Sequence, residues 1–290
     1  MLNQILANGI VAGVVIAVLA VGFSILYSGS RFFVFTFGAS FAWAAYAVFV
    51  LIQWCPTILA VCGGILVGAG VGGVLEWGIY RPIRQKGRSS LILMLASIGA
   101  YTVLQNAISL TFGDVTRSLR GSDTAAGHLI LGARVTTTQL VTLAASVVVL
   151  AGTWLVLRGT PLGKNVRAIS NDDVLARVVG INVDGTVLFS AMLGSGLAAV
   201  AGVLMSFDTN LIPTMGFQAL LLGVVGAVVG GINSFGGAVL GGLLLGITQH
   251  LAVWRVPTQW QDAIVFAILV LFLILRPQGF LGKPLGRAAV

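Results

Sequence analysis

Long apolar runs separated by short polar stretches dominate the chain. Several runs exceed the ~18 residues that mark a helix able to cross a ~30 Å hydrocarbon core at ~1.5 Å per residue. The pattern predicts an all-α, polytopic membrane helix bundle of about 8–9 spans, forming a single transmembrane domain over residues 1–290. The predicted segments are 5–27, 32–52, 58–80, 89–112, 139–157, 186–207, 219–232, 236–253 and 261–275.

Two of these segments depart from a plain span. In 32–52, the run Gly38-Ala39-Ser40 and the central Trp43 suggest a broken or interior-facing helix. Segment 219–232 would be only ~21 Å long as a helix, and the glycine-rich run after it should break a helix. The pair 219–253 is therefore either two short spans or a re-entrant hairpin.

Glycine spacing and an internal echo bear on how the spans pack. Glycines recur four residues apart in several spans, which brings helices close together in lipid. The first span precedes Phe35-Thr36-Phe37-Gly38, and the sixth precedes Pro213-Thr214-Met215-Gly216-Phe217. Because an odd offset reverses orientation, the echo is compatible with an inverted repeat that places the substrate path between its halves.

The charge composition supports a membrane protein. The chain is 58% hydrophobic and 8% charged, whereas soluble domains carry roughly 25% charged residues. A net charge of +8 would suggest nucleic acid in a soluble protein. Here the basic residues cluster in loops, so the positive-inside rule explains them and no nucleic-acid partner is predicted.

Basic clusters predict the orientation. Loop 81–88, the polar segment 158–185 and the tail after 275 should all be cytoplasmic, and even numbers of spans separate them. The N-terminus and loop 113–138 should then lie outside, and the C-terminus inside, in a bacterial-type cytoplasmic (inner) membrane. The N-terminus lacks the basic region of a cleaved signal, so 5–27 is read as a retained span. The basic residues counted are Arg81, Arg84, Lys86, Arg88, Arg276, Lys283 and Arg287, together with those of 158–185.

The sequence predicts no catalytic or metal site. His128, His250, Cys55 and Cys62 lack partners at ligand spacing. Glu76, about a turn from Arg81, is read as half of a local ion pair that anchors its span.

The run 159–165 resembles a phosphate-binding loop but is one residue short of the pattern, and Asn165 replaces the hydroxyl that would hold magnesium. The chain should therefore bind no cofactor and hydrolyse no ATP alone.

The polar segment 158–185 carries helix punctuation. Thr160-Pro161 fits an N-cap followed by proline at the first helical position. A second short helix fits Ser170 or Asn171 as its cap, with Asp172 and Asp173 in the first turn. Arg177 would lie in its last turn and Gly180 just beyond it.

The apolar face of this second helix consists of Val174, Leu175, Val178 and Val179. Charged ends with an exposed apolar stripe are typical of a helix that docks in another protein's groove. The alternative is a helix that lies on its own bilayer or bundle.

Several motifs resemble, in order along the chain, the branched-chain amino-acid permease family of ABC importers. They reach from residue 76 to residue 280 and form a specific match. One departure is the run 34–40, where Phe37 stands at a position that is commonly polar in the family. The matching runs are 76–84 (EWGIYRPIR), 97–99 (SIG), 104–106 (LQN), 163–182, 198–204 (AAVAGVL), 225–242 (VGAVVGGINSFGGAVLGG) and 276–280 (RPQGF).

The resemblance implies a half-translocator that pairs with a second related permease chain. Two ATP-binding subunits inside would bind ATP and magnesium, and a soluble periplasmic or extracellular protein outside would deliver substrate. Segment 158–185 would then be the cytoplasmic coupling segment. The residues implied in ATPase docking are Thr160, Pro161, Gly163, Arg167, Asp172, Asp173, Ala176, Arg177 and Gly180.

Path-lining and outer-mouth residues are predicted as well. Asp208, Thr209 and Asn210 would meet the binding protein or form a solvated loop. The candidates for the path, each of which could instead make interhelical hydrogen bonds, are Thr36, Ser40, Gln105, Asn106 and Ser109.

Three alternatives to this function stay open. Sibling importers in the family carry urea, amides or aromatic acids. A self-contained carrier or channel would need an intramembrane charge or a selectivity ring. An enzyme would need a buried acid/base pair.

Overall fold

The computed structural model describes residues 2–119, 127–130, 133–254, 257–276 and 278–282. Within them, six helices are long and apolar enough to cross a membrane and three more are apolar but shorter, which confirms the predicted helical bundle. The helices are α1 (Leu2–Ser30), α2 (Thr36–Leu51), α3 (Thr57–Leu75), α4 (Arg81–Gln85), α5 (Ser90–Phe112), α6 (Thr137–Gly159), α7 (Pro161–Asn171), α8 (Asp173–Val178), α9 (Val183–Asp208), α10 (Met215–Gly230), α11 (Phe235–Ala252) and α12 (Gln261–Leu275). A π-helical turn, Glu76–Tyr80, joins α3 to α4, and a 3₁₀ turn, Thr258–Trp260, precedes α12.

Helix α1 is the centre of the bundle. Residues 13–26 of α1 are buried without interruption, and α1 packs on α9, α10 and α11. A helix that is apolar all round must be surrounded by other helices or lipid. In this bundle its neighbours are mainly protein.

Glycines let α1 and α11 touch backbone to backbone. A Cβ on Gly9 would lie 3.1 Å from the Cα of Ile247, and one on Gly246 would overlap the backbone of Gly13. A Cβ on Gly242 would overlap the backbone of Ala17. The predicted close packing by glycine rows is therefore confirmed for this pair of helices.

Helix α2 faces the interior and is continuous. Residues 36–42 are all buried, and Gly38-Ala39-Ser40 lies inside the helix, so the broken-helix reading is wrong. The glycine serves contact rather than a break, because a Cβ on Gly38 would overlap the carbonyl of Gly216, and one on Gly216 would overlap the carbonyl of Gly38.

Helices α10 and α11 form a hairpin whose turn lies against the end of α1. The Ser28 hydroxyl donates to Asn233 Oδ1 at 2.6 Å, and the Asn233 amide donates to Ser24 Oγ at 3.3 Å. From there α11 follows α1 back as far as Gly9. The stretch of α1 from Gly9 to Ser28 corresponds to roughly 28 Å of helix.

A short antiparallel hairpin interrupts the all-α architecture. Strands β1 (Gly127–Ile130) and β2 (Ala133–Thr136) pair within the predicted loop 113–138, where no strand was expected. The same loop forms a bridge between Arg117 and Leu211, with two backbone bonds of 3.0 and 2.8 Å.

The two ends of the bundle are distinct. Arg31, which follows α1, reaches the polar segment. The first turn of α1 instead meets β2, because Gln4 bonds the backbone of Arg134. We call these the polar-segment end and the opposite end. Lys283 and Arg287, counted in the basic tail, lie outside the described residues.

Candidate functional site

The polar segment folds as two short helices, α7 and α8. The Thr160 hydroxyl accepts the amide of Gly163 at 3.2 Å, and Pro161 is the first residue of α7, so the predicted cap is confirmed. The run 159–165 is thus the end of one helix, a cap and the start of another. A Cβ on Gly163 would overlap the carbonyl of Leu157, so a glycine is needed where α7 folds back on α6.

Helix α8 begins one or two residues later than predicted, depending on which of the two predicted caps is taken. Asp172 is the N-cap, and its Oδ1 accepts the amides of Val174 at 2.9 Å and Leu175 at 3.0 Å. Ser170 and Asn171, the predicted caps, belong to α7 instead. They cannot serve as caps because an N-cap needs non-helical backbone, which Asp172 adopts at φ −153° and ψ 115°.

Gly180 ends α8 as predicted. Its φ is +88°, a left-handed conformation that glycine adopts without a Cβ penalty. The Gly180 amide donates to the carbonyl of Arg177 at 3.0 Å, and the Ile181 amide donates to the carbonyl of Ala176 at 3.0 Å. This pair of bonds satisfies the last carbonyls of the helix.

The two faces of α8 differ sharply. Ala176 is 4% exposed and packs with Ile169, Val183 and Val187. The outward face is apolar as well, and its side chains are between 61% and 79% exposed. We call this outward face the valine stripe; it consists of Val174, Leu175, Val178 and Val179.

Two contacts join the polar segment to other helices. Arg31 donates to the carbonyls of Ile169 at 2.8 Å and Ser170 at 3.2 Å, near the C-terminal end of α7. Asp184, in the first turn of α9, accepts Arg81 at 3.3 Å and Gln85 at 3.0 Å. The second contact also places loop 81–88 at the same end as the polar segment. We call Arg81, Gln85 and Asp184 the carboxylate clamp.

The sequence reasoning did not single out Arg31 or Asp184. One feature of the sequence could have identified Asp184. Asn182 caps α9, and an acidic residue is favoured in the first helical turn. Arg31 could have been identified less clearly, as an isolated basic residue just after the first span.

Glu76 forms an ion pair, but not with the predicted partner. Its carboxylate, 2% exposed, pairs with Arg84 rather than with Arg81. Arg81 turns instead to Asp184. A π-helical turn begins at Glu76 and adds a residue to the turn, which rotates the residues after it relative to an α-helix.

The predicted path residues fall in separate places. Thr36 Oγ1 shares a 2.8 Å hydrogen bond with the Tyr80 hydroxyl, and Ser40 donates to the carbonyl of Thr36 at 3.4 Å. Phe37, at the position that departs from the family pattern, is fully buried against Phe23.

Helix α5 carries the other three. Gln105 lines a cavity of about 450 Å³ with Tyr101 and Phe217. Asn106 is exposed and donates to the carbonyl of Thr102, and Ser109 is half-buried. The structure therefore brings Thr36 and Ser40 together but does not join them to Gln105, Asn106 and Ser109.

Asp208, Thr209 and Asn210 lie at the opposite end, at the C-terminus of α9. All three line a cavity of about 510 Å³ together with Asn8 and Asp262. They are thus separated from the polar segment by the length of α9.

Within the described residues no group of three His, Cys, Asp or Glu side chains could hold a metal ion. Cys55 and Cys62 are free thiols. His250 bonds the carbonyl of Gly246 on its own helix at 3.0 Å. The polar segment itself presents an exposed apolar face between charged helix ends.

Comparison with known proteins finds similarity to branched-chain amino acid permeases over nearly the whole chain. Residues 5–273 match the family described as branched-chain amino acid transport system / permease component. The permease protein LivH of a high-affinity branched-chain amino acid transport system of Escherichia coli K12 is 32% identical, over 97% of this chain and 96% of that protein. The corresponding BraD of Pseudomonas aeruginosa is 30% identical over the same shares. The autoinducer 2 import system permease protein LsrC of Klebsiella pneumoniae is 32% identical over 43% of this chain and 39% of that protein.

Proposed function

The chain belongs to the permease-component family of branched-chain amino acid transport systems, and from this premise we propose that it moves branched-chain amino acids across a bacterial inner membrane as the permease subunit of an ABC importer. It is a transport subunit and not an enzyme. Alternating access driven by partner subunits would carry substrate between the two sides.

One observation carries the choice of substrate. Relatives named for branched-chain amino acid transport align with 97% of this chain, whereas a permease named for autoinducer 2 import aligns with 43%. The similarity to the first group therefore covers nearly the whole chain.

The partners follow from the same assignment. We infer a second related permease chain, two ATP-binding subunits that hold ATP and magnesium, and a soluble substrate-binding protein. No cofactor would bind to this chain itself.

The polar segment 158–185 is proposed as the coupling segment. The valine stripe supports this role, because it leaves four large apolar side chains exposed next to charged helix ends. A groove on an ATP-binding subunit would cover it, as grooves cover amphipathic helices elsewhere. The proposed docking residues are Thr160, Pro161, Gly163, Arg167, Asp172, Asp173, Ala176, Arg177 and Gly180.

The orientation is proposed from the two ends. The basic loop 81–88 joins the polar segment through the carboxylate clamp, which supports a common cytoplasmic side. The backbone of Phe280 and Leu281 bonds the end of α10 near the same turn, so the C-terminus would lie inside. The first turn of α1 lies at the opposite end and would therefore be external.

An inverted repeat is proposed for α1–α3 and α9–α11. Gly38 and Gly216, at matching places in the sequence echo, touch each other reciprocally, and so do Gly22 and Gly194. Because α1 and α9 run in opposite directions, the two halves would be inverted. The α10–α11 hairpin, lying along nearly the whole of α1, then represents two short spans.

We also propose a substrate path and an outer mouth. A path between the two halves would pass Thr36 and Ser40 on the α3-facing side of α2, with Gln105, Asn106 and Ser109 on α5. Asp208, Thr209 and Asn210 border a cavity at the external end, and this position supports contact with the binding protein.

Reconstituted uptake tests the proposed function. The full permease pair, its ATP-binding subunits and external binding protein would be placed in liposomes with ATP inside. We expect leucine uptake that requires ATP, the ATP-binding subunits and the binding protein. Uptake by this chain alone without ATP would indicate a secondary carrier, and ATP-driven uptake of amides but not leucine would indicate a sibling importer.

A further inference from the structure

A second cavity, of about 680 Å³, lies at the polar-segment end between α1, α6, α7 and the α10–α11 turn. Its walls are mainly apolar and include Val21 and Ile25 of α1 and Val239 and Leu240 of α11. Trp154 and Leu240 line it and are 41% and 49% exposed at the bundle surface. The cavity is therefore a groove whose walls reach the periphery of the bundle, and we call it the inner groove.

Two guanidinium groups mark one end of the inner groove. Arg158 and Arg167 line it, and Arg158 lies 4.9 Å from the ring centroid of Trp154, a distance at which the aromatic face attracts the cation. Arg158 is the next-to-last residue of α6, a helix of 23 residues, or ~34 Å. A residue at the end of such a span lies at headgroup level, where tryptophan is also enriched.

The charge of the inner groove favours an anionic ligand over a zwitterionic one. Among the described residues that line it none is acidic, so no carboxylate there would pair with the ammonium of a free amino acid. The α1 lining consists of Val21, Ser24, Ile25 and Ser28. It follows ~10 Å of the helix, enough for part of an acyl chain against the two apolar side chains. The chemistry therefore fits an anionic lipid better than a zwitterionic substrate.

We propose that the inner groove binds one anionic phospholipid, with its phosphate on Arg158 and Arg167 and an acyl chain along α1 and α11. Basic pockets between transmembrane helices on the cytoplasmic side bind such headgroups in other membrane proteins. The site borders α7 and the α10–α11 turn, so a bound lipid would contact both the coupling segment and the bundle. The proposal rests on the cytoplasmic orientation given under the proposed function.

Lipid binding can be measured on the intact chain by native mass spectrometry, titrating phosphatidylglycerol against phosphatidylcholine. We expect a preference for phosphatidylglycerol that falls roughly 30-fold in an R158Q/R167Q double variant, the change expected for two basic residues at the headgroup. A matched K86Q/R88Q double variant removes the same charge from the same end of the bundle. It should change the affinity by less than about threefold, because these two side chains do not line the groove.

A second variant tests the groove itself. Gly236 lines it, and among the described residues an added Cβ would meet only Leu281 at 3.7 Å, so Gly236→Phe can fill the space without a clash with the described backbone. We expect this variant to lose phosphatidylglycerol binding while both arginines remain. Retained binding would show that the arginines attract lipid without a groove and would overturn the proposal.

Three further results would contradict the site. Equal losses in the two double variants would indicate general surface attraction. Displacement of phosphatidylglycerol by millimolar leucine would identify a substrate exit site. Loss of the lipid when the second permease chain assembles would identify a protein interface.

Failure of ATP-driven leucine uptake with intact lipid preference would affect the proposed function alone.

Discussion

Along α1 and α11 two backbones meet at Gly13 and Gly246 with no side chain between them. The polar segment is joined to the bundle differently, by Arg31, by the carboxylate clamp and by a small apolar cluster around Ala176. Close backbone contact tolerates little displacement, because any added atom must overlap. Side-chain bonds to a surface helix can break and re-form at a cost of about 1 kcal/mol each. These contacts predict a rigid bundle and a polar segment that is displaced more easily.

The largest expected effect is a test of the rigid region. Gly246→Ala places a Cβ over the backbone of Gly13 and should lower the free energy of unfolding by about 2 kcal/mol or more, the cost of overpacking. Gly70→Ala, in α3, has open space around the new Cβ and should be neutral or stabilising by up to about 1 kcal/mol. Thermal unfolding of both variants in detergent measures the difference. Equal midpoints would mean that the α1–α11 contact is not close.

The next effect concerns the surface that the polar segment offers. Exchanging Leu175 and Val178 for serine should weaken association with the ATP-binding subunits by about 2 kcal/mol, or roughly 30-fold, since buried apolar anchors dominate interfaces. Unfolding of the free chain should not change, because both side chains are mostly exposed. Val115→Ser, exposed on the loop at the opposite end, is the control. Normal association of the double variant would mean that α8 lies on the bilayer instead.

The carboxylate clamp tests how movement passes from the segment to the bundle. Asp184→Asn removes the charge that holds Arg81 and should lower leucine uptake per ATP hydrolysed. Stability should change by no more than about 1 kcal/mol, because the Arg81–Asp184 pair is partly exposed. Assembly with the ATP-binding subunits should persist, which separates this variant from the previous one.

Asp114→Asn, at the opposite end, provides the matched loss of a carboxylate and should keep normal coupling. If uptake per ATP fell equally in both variants, the clamp would have no special role in transmission.

Sequence reasoning located the helices because apolar length is a local property. It also found the capped and apolar character of 158–185, since caps depend on residues two to four positions apart. It missed partners that depend on tertiary geometry. Arg81 pairs with Asp184, which is 103 residues away along the chain. After the π-helical turn, Arg84 is the residue that pairs with Glu76. No local pattern specifies either choice.

The cap of α8 shows the limit of local reasoning at short range. Ser170, Asn171 and Asp172 are all good N-caps, so the sequence alone could not decide among them. Burial of Ile169 against Ala176 and Val183 extends α7 through Asn171 and leaves Asp172 as the first residue with extended backbone. Packing therefore selects one cap from three equivalent candidates.

The smallest effect tests that selection. Asp172→Ala removes the acceptor of two amides and should lower the free energy of local opening of α8 by about 1 kcal/mol. Asp173→Ala removes only a charge near the helix N-terminus, worth about 0.3–1 kcal/mol, so it should open α8 less. Hydrogen exchange of the α8 amides measures both, while exchange in α1 should stay unchanged in either variant. If Asp173→Ala had the larger effect, or if α1 also lost protection, the segment would not open independently of the bundle. The contrast between a rigid core and a movable segment would then fail.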